Sequence, residues 1–171
     1  MKLIRNDTSF TVTGFKKTNK YNYVSYTRND DDGSRTYNVK DKKVPSVTNI
    51  LSHTQSKQKS EALDKWRERV GYTQASRITA QAAKRGTEMH YVLEQYMKGQ
   101  GYLNLGSEGS LPRMMAHTIV DNLDKLTEVY GTEVSLAYEN RWAGSTDLVC
   151  VYNGKPTIAD FKQSNKPKRE E

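Results

Sequence analysis

The sequence predicts a mixed α/β (α+β) fold, because the spacing of its apolar residues changes twice along the chain. Apolar and polar side chains alternate as in strands over residues 8–44, recur at helical spacing from about residue 46 to 131, and alternate again from Thr132 onward. A chain of 171 residues suits one domain with its own core. We expect an N-terminal β unit over residues 1–44, packed on a core formed by residues 45–171.

The composition favours a polyanionic partner and excludes several classes of protein. Lys and Arg number 27 against 20 Asp and Glu, a formal net charge of +7. No apolar run approaches the roughly 18 residues that a membrane span needs, so we expect no membrane partner. Cys150 is the one cysteine, which excludes an internal disulfide and a cysteine-based zinc site. The start of the chain resembles no targeting peptide, and a reducing cytoplasm is the expected compartment.

The N-terminal segment is expected to form a small antiparallel unit. Its alternating apolar residues form three groups: Phe10 and Val12, then Tyr21, Tyr23, Val24 and Tyr26, then Tyr37 and Val39. An acidic run over residues 29–34 separates the last two groups. That run lacks the distal Glu of a calcium loop, so a solvated turn is the favoured interpretation.

Helical spacing begins after Pro45, where Ser46 or Thr48 can cap a short helix. Over residues 60–84 we expect two helices divided near Gly71, with Gly86 ending the second.

The remaining helices are predicted in the same way. One is expected from Thr87 to Lys98, followed by a Gly/Ser/Asn loop over residues 99–112. Pro112 then suits the first turn of a long helix that Gly131 would end.

The C-terminal part is expected to contain strands at about 132–140, 142–152 and 155–162. Asn153-Gly154 lies between the last two and is the strongest short hairpin signal. A two-residue turn there places Asp147 directly opposite Asp160, and Lys162 points to the same side.

This hairpin brings two carboxylates and an ammonium group together. Both of its faces carry apolar residues, which predicts a buried, central strand pair. Two facing carboxylates that lose their hydration cost several kcal/mol unless a cation compensates them, and a divalent metal would do so. The alternative is an ordinary pair of Asp160 and Lys162, with Asp147 in solvent.

A second group of polar residues lies upstream. His90 and Glu94 stand four residues apart, so a helix places both on one face. A histidine beside apolar residues is more often structural, which leaves that alternative open. Glu133 is a secondary candidate for the same site or for bonding Arg85, and a solvated strand end is its alternative.

Taken in order, these motifs resemble the PD-(D/E)XK nuclease superfamily in its RecB-like branch. The residues that carry the resemblance are Arg85-Gly86-Thr87, His90, Glu94, Glu133, Gly144-Ser145-Thr146-Asp147 and Asp160-Phe161-Lys162. Residues 44–51 and 62–67 further resemble phage exonucleases and the mitochondrial genome maintenance exonucleases.

The resemblance implies a restriction-endonuclease-like fold, in which helices flank a central mixed sheet. It implies that His90, Asp147, Asp160 and the backbone carbonyl of Phe161 bind Mg²⁺ or Mn²⁺. Lys162 would orient or deprotonate the attacking water. With Glu94, these side chains form the expected catalytic set.

The resemblance also implies DNA as the partner. Ser46 and Thr48 correspond to positions that contact phosphate, although capping a helix explains them equally well. Basic side chains would bind the DNA backbone, and the candidates are Lys57, Lys59, Lys65, Arg67, Arg69 and Arg85.

The sequence therefore predicts a metal-dependent DNA exonuclease, or its N-terminal part, that hydrolyses phosphodiesters of single-stranded or end-bearing DNA in a bacterial or phage-infected cytoplasm. Nine residues follow Lys162, and Gln163 lacks the Tyr of the Gln-x-x-x-Tyr motif found in relatives. We accordingly expect a truncated fold, or one that a second polypeptide completes, with weak or no activity of the isolated chain. The alternatives are an endonuclease on the same fold, for instance of homing type, and a non-catalytic DNA-binding module.

Overall fold

The fold is known from a computed structural model that describes residues 2–6, 9–13, 15–30, 33–100 and 110–164, the first two segments as backbone only. Strands come first along the chain, four helices follow, and three strands end it, so the predicted mixed α/β (α+β) class is confirmed. The elements are β1 (Lys2–Asn6), β2 (Ser9–Thr13), β3 (Lys16–Lys17), β4 (Thr27–Asn29), β5 (Thr36–Val39), β6 (Lys42–Pro45), α1 (Val47–His53), α2 (Lys57–Val70), α3 (Tyr72–Met97), α4 (Leu111–Asp121), β7 (Leu126–Tyr138), β8 (Trp142–Tyr152) and β9 (Lys155–Ala159).

The strands form one mixed sheet and two antiparallel ones. The mixed sheet has the order β3-β7-β8-β9, with β3 parallel to β7 and β8 antiparallel to β9. Strands β4, β5 and β6 form an antiparallel sheet, and β1 pairs with β2. The expected N-terminal antiparallel strands are therefore present. The strand expected around residues 21–26 is wrong: the Tyr21 ring instead packs edge-on against Tyr130, 5.6 Å between centroids.

The chain divides into two compact units. The first contains residues 1–21, 82–133 and 147–171, and the second contains residues 22–81 and 134–146. Helix α3 and strands β7 and β8 contribute residues to both. The predicted single domain with a boundary between residues 44 and 45 stays a prediction.

The first unit is built around the C-terminal half of α3. Apolar side chains recur there at intervals of three and four residues, which gives the helix one buried face. Helix α4 and strands β7 and β8 supply the rest of the core. Its buried residues are Met89, Val92, Leu93, Tyr96, Met97, Ala116, Val120, Leu126, Val129, Leu148 and Cys150.

The second unit has a smaller core, formed by Tyr37, Val39, Val44 and Ala143. Ser46 caps α1 as predicted: its hydroxyl accepts a hydrogen bond from the Asn49 backbone N–H at 3.0 Å. None of residues 57–70, all of which the structure describes, is buried. Helix α2 is therefore a solvent-exposed, charged element of this unit.

Of the two helix boundaries predicted at glycines, one is confirmed and one is wrong. Gly71 does separate α2 from α3, with φ 89° and its N–H bonded to the Arg67 carbonyl at 2.8 Å. Gly86, by contrast, lies inside α3, so the predicted end there and the separate helix from Thr87 are wrong. A Cβ at Gly86 would lie 3.2 Å from Nε2 of Gln163, so this glycine serves a close approach rather than a helix end.

The long helix predicted from Pro112 to Gly131 is also wrong beyond Asp121, where α4 ends. Leu126 and Val129 fit a helical repeat, but both lie in β7. The run around them is rich in β-branched and aromatic residues, and its pairing with β3 and β8 prevails over the helical pattern. The loop expected over residues 99–112 falls largely outside the described residues, as does the charged C-terminal tail.

The hairpin register is confirmed, but its burial is not. Cα partners run from Leu148 with Ala159 to Tyr152 with Lys155, as a two-residue Asn153-Gly154 turn requires. In the described part of the mixed sheet β9 is an edge strand, and Ile158 on its outer face is 65% exposed. The pair is therefore buried on one face only.

Candidate functional site

His90 lies where the buried stripe of α3 meets the surface. Its neighbour Met89 is fully buried in the core of the first unit, and this holds the helix with the His90 ring along the edge of that stripe. The side chain of His90 is 26% exposed. It is therefore oriented by packing and still accessible from solvent.

Asp147 begins the part of β8 that belongs to the first unit, and its two carboxylate oxygens have separate partners. Oδ1 lies 3.2 Å from Nδ1 of His90, and Oδ2 accepts a hydrogen bond from the Phe161 backbone N–H at 2.5 Å. The side chain is 13% exposed. Asp147 therefore joins α3 to the segment that follows β9.

Glu133 reaches the same place through an unusual backbone. It has φ 49° within β7, a left-handed conformation that costs a non-glycine residue about 1–2 kcal/mol. Such an irregularity in a strand turns a side chain away from the regular alternation. One ligand atom from each of Glu133, His90 and Asp147 lies within 4.8 Å of the other two.

The charges in this group influence one another. The hydrogen bond to Asp147 is the largest effect on the pKa of His90; with the charges of Asp147 and Glu133 it raises that pKa, against burial and the charge of Lys162. Burial acts to raise the pKa of Asp147. The bonds from His90 and Phe161, with the positive charges of His90 and Lys162, outweigh it and hold the pKa below its usual range.

Two carboxylates and one imidazole can hold a divalent cation. Oxygen-rich sets of this kind suit hard ions, and one imidazole is compatible with them. The negative surroundings of His90 also favour a cation at this position. His90, Glu133 and Asp147 are therefore the residues of the described chain that form a candidate metal site.

Asp160 and Lys162 lie just beyond β9 rather than within it. Lys162 Nζ donates to Asp160 Oδ1 at 2.9 Å, and their side chains are 58% and 51% exposed. Within the described residues, Asp160 is not one of the clustered donors. The Phe161 N–H nevertheless ties the segment between them to Asp147.

Glu94 shares the helix face of His90 as its spacing predicts, but it has another partner. Its Oε1 accepts from Lys98 Nζ at 2.6 Å, one turn further along α3. Glu94 also lies outside the group of clustered donors in the described chain.

The comparison with known proteins gives three relatives of the same name. The chain is 28% identical to human mitochondrial genome maintenance exonuclease 1 over 130 residues, and 30% identical to the mouse protein over 130 residues. Identity to the protein of Xenopus tropicalis is 28% over 134 residues. The chain is a weak homologue of named exonucleases.

The extent of these matches is asymmetric. They cover 73% of this chain but only 37–38% of each relative, so the chain spans less than half the length of the proteins it matches. No family model matches the chain.

The predicted DNA-binding residues belong mostly to the second unit. Ser46 is 1% exposed with its hydroxyl in the α1 cap, whereas Thr48 is exposed. The basic candidates on α2 are exposed, with Lys57 near Glu61 at 3.9 Å and Arg67 near Asp64 at 3.0 Å. Lys59, Lys65 and Arg69 are likewise exposed, and Arg85 of the first unit is half-buried.

Sequence reasoning missed two features of this region. The left-handed backbone of Glu133 has no local sequence signal apart from Gly131 two residues before it. The contact of Gln163 with α3 was also missed, although a glycine inside an apolar helical repeat, Gly86, is a signal for close approach.

Proposed function

We propose that this chain is a metal-dependent DNA exonuclease of the PD-(D/E)XK type, RecB-like branch, or the N-terminal part of one. The observation that carries the proposal is the cluster of His90, Glu133 and Asp147, whose ligand atoms lie within 4.8 Å of one another. The Phe161 N–H ties the Asp-x-Lys segment to the same cluster. The names of the relatives support nuclease activity.

Mg²⁺ or Mn²⁺ is the proposed cofactor, held by His90, Asp147 and Glu133. Asp160 and the Phe161 carbonyl remain proposed further ligands. A bound divalent ion supplies a Lewis acid for the scissile phosphate and lowers the pKa of its water. His90 would hold the ion through a neutral imidazole nitrogen.

The chain's own residues supply the rest of the chemistry. The side chain of Lys162 is more than half exposed and follows Phe161, which bonds to Asp147. We assign its ammonium group the orientation of the attacking water; deprotonation of that water would need the neutral amine to accept the proton. Asp160 holds that ammonium at 2.9 Å. Exposed basic side chains on α2, with Thr48 and Arg85, are proposed to bind the DNA backbone; Ser46 contributes as the cap of α1.

We further propose that the fold is completed by more polypeptide than this chain, in the same protein or in a partner. The chain spans about 38% of the human and mouse relatives. A bacterial or phage-infected cytoplasm is the proposed setting, and none of the helices in the described ranges is long and apolar enough to cross a membrane.

The test combines metal binding with cleavage. Mn²⁺ is titrated into the chain and into Asp147→Asn, with Asp124→Asn as an exposed control, while the melting temperature is followed. End-labelled linear DNA and circular DNA are then incubated with each protein and Mn²⁺. We expect Mn²⁺ to stabilise all but Asp147→Asn, and slow loss of linear DNA from its ends by the same proteins.

Each contrary result rejects a definite part of the proposal. Cutting of circular DNA would replace the exonuclease with an endonuclease. Equal stabilisation of Asp147→Asn by Mn²⁺ would reject the metal site.

One observation favours a second function, a DNA-binding module without catalysis. Asp160 and Lys162 pair with each other at 2.9 Å, and Asp160 is not among the clustered donors of the described residues. Binding of Mn²⁺ and DNA without any cleavage, even at high protein concentration, would select this function.

A further inference from the structure

One ridge of α3 carries the contacts that surround the candidate site. Ala82, Gly86, His90 and Glu94 follow one another at intervals of four residues, so they lie in one row along the helix. Asp147 meets this row at His90. Gln163 contacts the row at Gly86 and Ala82, which lie one and two helical turns before His90.

Gln163 makes two contacts with this row. Its side-chain Nε2 donates a hydrogen bond to the backbone carbonyl of Ala82. A Cβ built at Gly86 would lie 3.2 Å from the same nitrogen, closer than most real contacts of that kind. A side chain at position 86 would therefore press on this amide, which would have to shift by a few tenths of an ångström.

The two contacts have one geometric cause. In an α-helix the carbonyl of residue i already accepts from the N–H of residue i+4, and the side chain at i+4 leans back toward that carbonyl. Gly86 stands four residues after Ala82 and has no side chain. The second lone pair of the Ala82 carbonyl is thus open to an outside donor.

The contact matters because residues 160–164 have no strand to hold them. Strand β9 ends at Ala159, and the side chains of Asp160 and Lys162 are more than half exposed. The Phe161 N–H bond to Asp147 and the Gln163 bond to Ala82 both attach this segment to the first unit. Lys162 lies between these two attachments.

We propose that Gln163 is a positioning residue, which fixes Lys162 and Asp160 relative to His90 by fastening their segment to α3 at Ala82 and Gly86. The proposal rests on the nuclease function proposed above, and it assigns Gln163 no contact with substrate or metal. Loss of the bond removes the attachment that Gln163 makes next to Lys162.

The experiment uses the full chain and four substitutions. Gln163→Ala removes the side chain, and Gln163→Met keeps most of its volume without a donor. Gly86→Ala places a methyl group against the amide, and Gly86→Ala/Gln163→Ala removes that conflict. Gln81→Ala, an exposed glutamine of the same helix, is the matched control. Hydrogen exchange is measured by mass spectrometry, and cleavage of labelled DNA with Mn²⁺ is measured as kcat and KM.

We expect exchange in residues 160–164 to rise about three- to tenfold in Gln163→Ala, Gln163→Met and Gly86→Ala, in keeping with the loss of one hydrogen bond. Exchange in the hairpin over residues 148–159 should stay unchanged. The double variant Gly86→Ala/Gln163→Ala should show the same exchange in residues 160–164 as Gln163→Ala alone, because both substitutions disturb the same contact. The kcat should fall with KM nearly constant, while Gln81→Ala matches the parent chain.

The two proposals fail in different ways. Unchanged exchange in Gln163→Ala, normal exchange in Gln163→Met, additive effects of the two sites, or cleavage with an unaltered kcat would each overturn the positioning role. Absence of cleavage in the parent chain, with exchange altered as expected, would overturn the expected effect of Gln163 on kcat and the nuclease activity of this chain on its own, but not the attachment itself.

Discussion

Nδ1 of His90 lies 3.2 Å from Oδ1 of Asp147, and this contact connects the C-terminal half of helix α3 to strand β8. The partners are 57 positions apart in the sequence. Both stand beside buried neighbours, Met89 and Leu148, which hold their backbones in place. The contact therefore depends on how the core packs, and the residues around it suggest several measurements.

The backbone of Glu133 should be more favourable for glycine. We expect Glu133→Gly to be at least as stable as the parent chain without metal, since a left-handed non-glycine residue costs about 1–2 kcal/mol, whereas stabilisation by Mn²⁺ should decrease. Urea unfolding with and without Mn²⁺ measures both. Glu139→Gly is the control, because Glu139 has φ 44° and lies in the turn after β7; it should keep the full response to Mn²⁺. A normal Mn²⁺ response of Glu133→Gly would remove Glu133 from the site.

The hairpin turn offers a test of backbone strain without steric effects. Gly154 has φ 73°, and nothing lies within 4 Å of a Cβ built there. Gly154→Ala should cost about 1 kcal/mol of unfolding free energy, and Gly154→Asn less, because asparagine tolerates this conformation better. Chemical denaturation measures both. Equal stability of all three proteins would contradict the two-residue turn.

The free energy of unfolding should depend on pH through the titration of His117. Burial, with the charge of Arg113, lowers the pKa of this residue against the opposing charge of Asp121. The unfolded state then binds more protons than the folded state below pH 6.5, so stability falls as the pH drops from about 6.5 through the lowered pKa. Replacement of His117 by glutamine should remove this contribution to the pH dependence of stability. The difference in unfolding free energy between the parent chain and His117→Gln, followed from pH 7.5 to 5, isolates it; a constant difference would contradict the prediction.

Cys150 should be unreactive in the folded chain. Its side chain is 1% exposed, and burial raises the pKa of the thiol, so both access and thiolate are reduced. A disulfide reagent should react slowly at pH 8 in buffer and fully in urea, releasing one equivalent because the chain has one cysteine. Fast reaction without urea would contradict the packing of β8 against the core.

The local sequence predicted those features that need only neighbouring residues. Asn153 and Gly154 both adopt positive φ, 50° and 73°, so two residues suffice to set the turn and hence the whole hairpin register. Ser46 likewise caps α1 within three residues of chain. His90 was found through its spacing from Glu94, although that partner binds Lys98 instead.

Other features needed the rest of the molecule. Leu126 and Val129 satisfy a helical and a strand pattern alike, and the pairing of β7 with two other strands decides between them. Gly86 suggests a helix end from the local sequence, but α3 continues through it, and Gln163, 77 residues later, lies beside it.

The sequence by itself determined the residue types of the candidate site and the register of the hairpin that carries Asp147. Only the tertiary structure decided which of them meet: Glu133 rather than Asp160 joins His90 and Asp147. The physical reason is that β9 ends at Ala159, so Asp160 turns toward Lys162, while a left-handed backbone at Glu133 turns that carboxylate toward α3. Strand ends and left-handed residues depend on contacts distant in the chain, and periodicity does not record them.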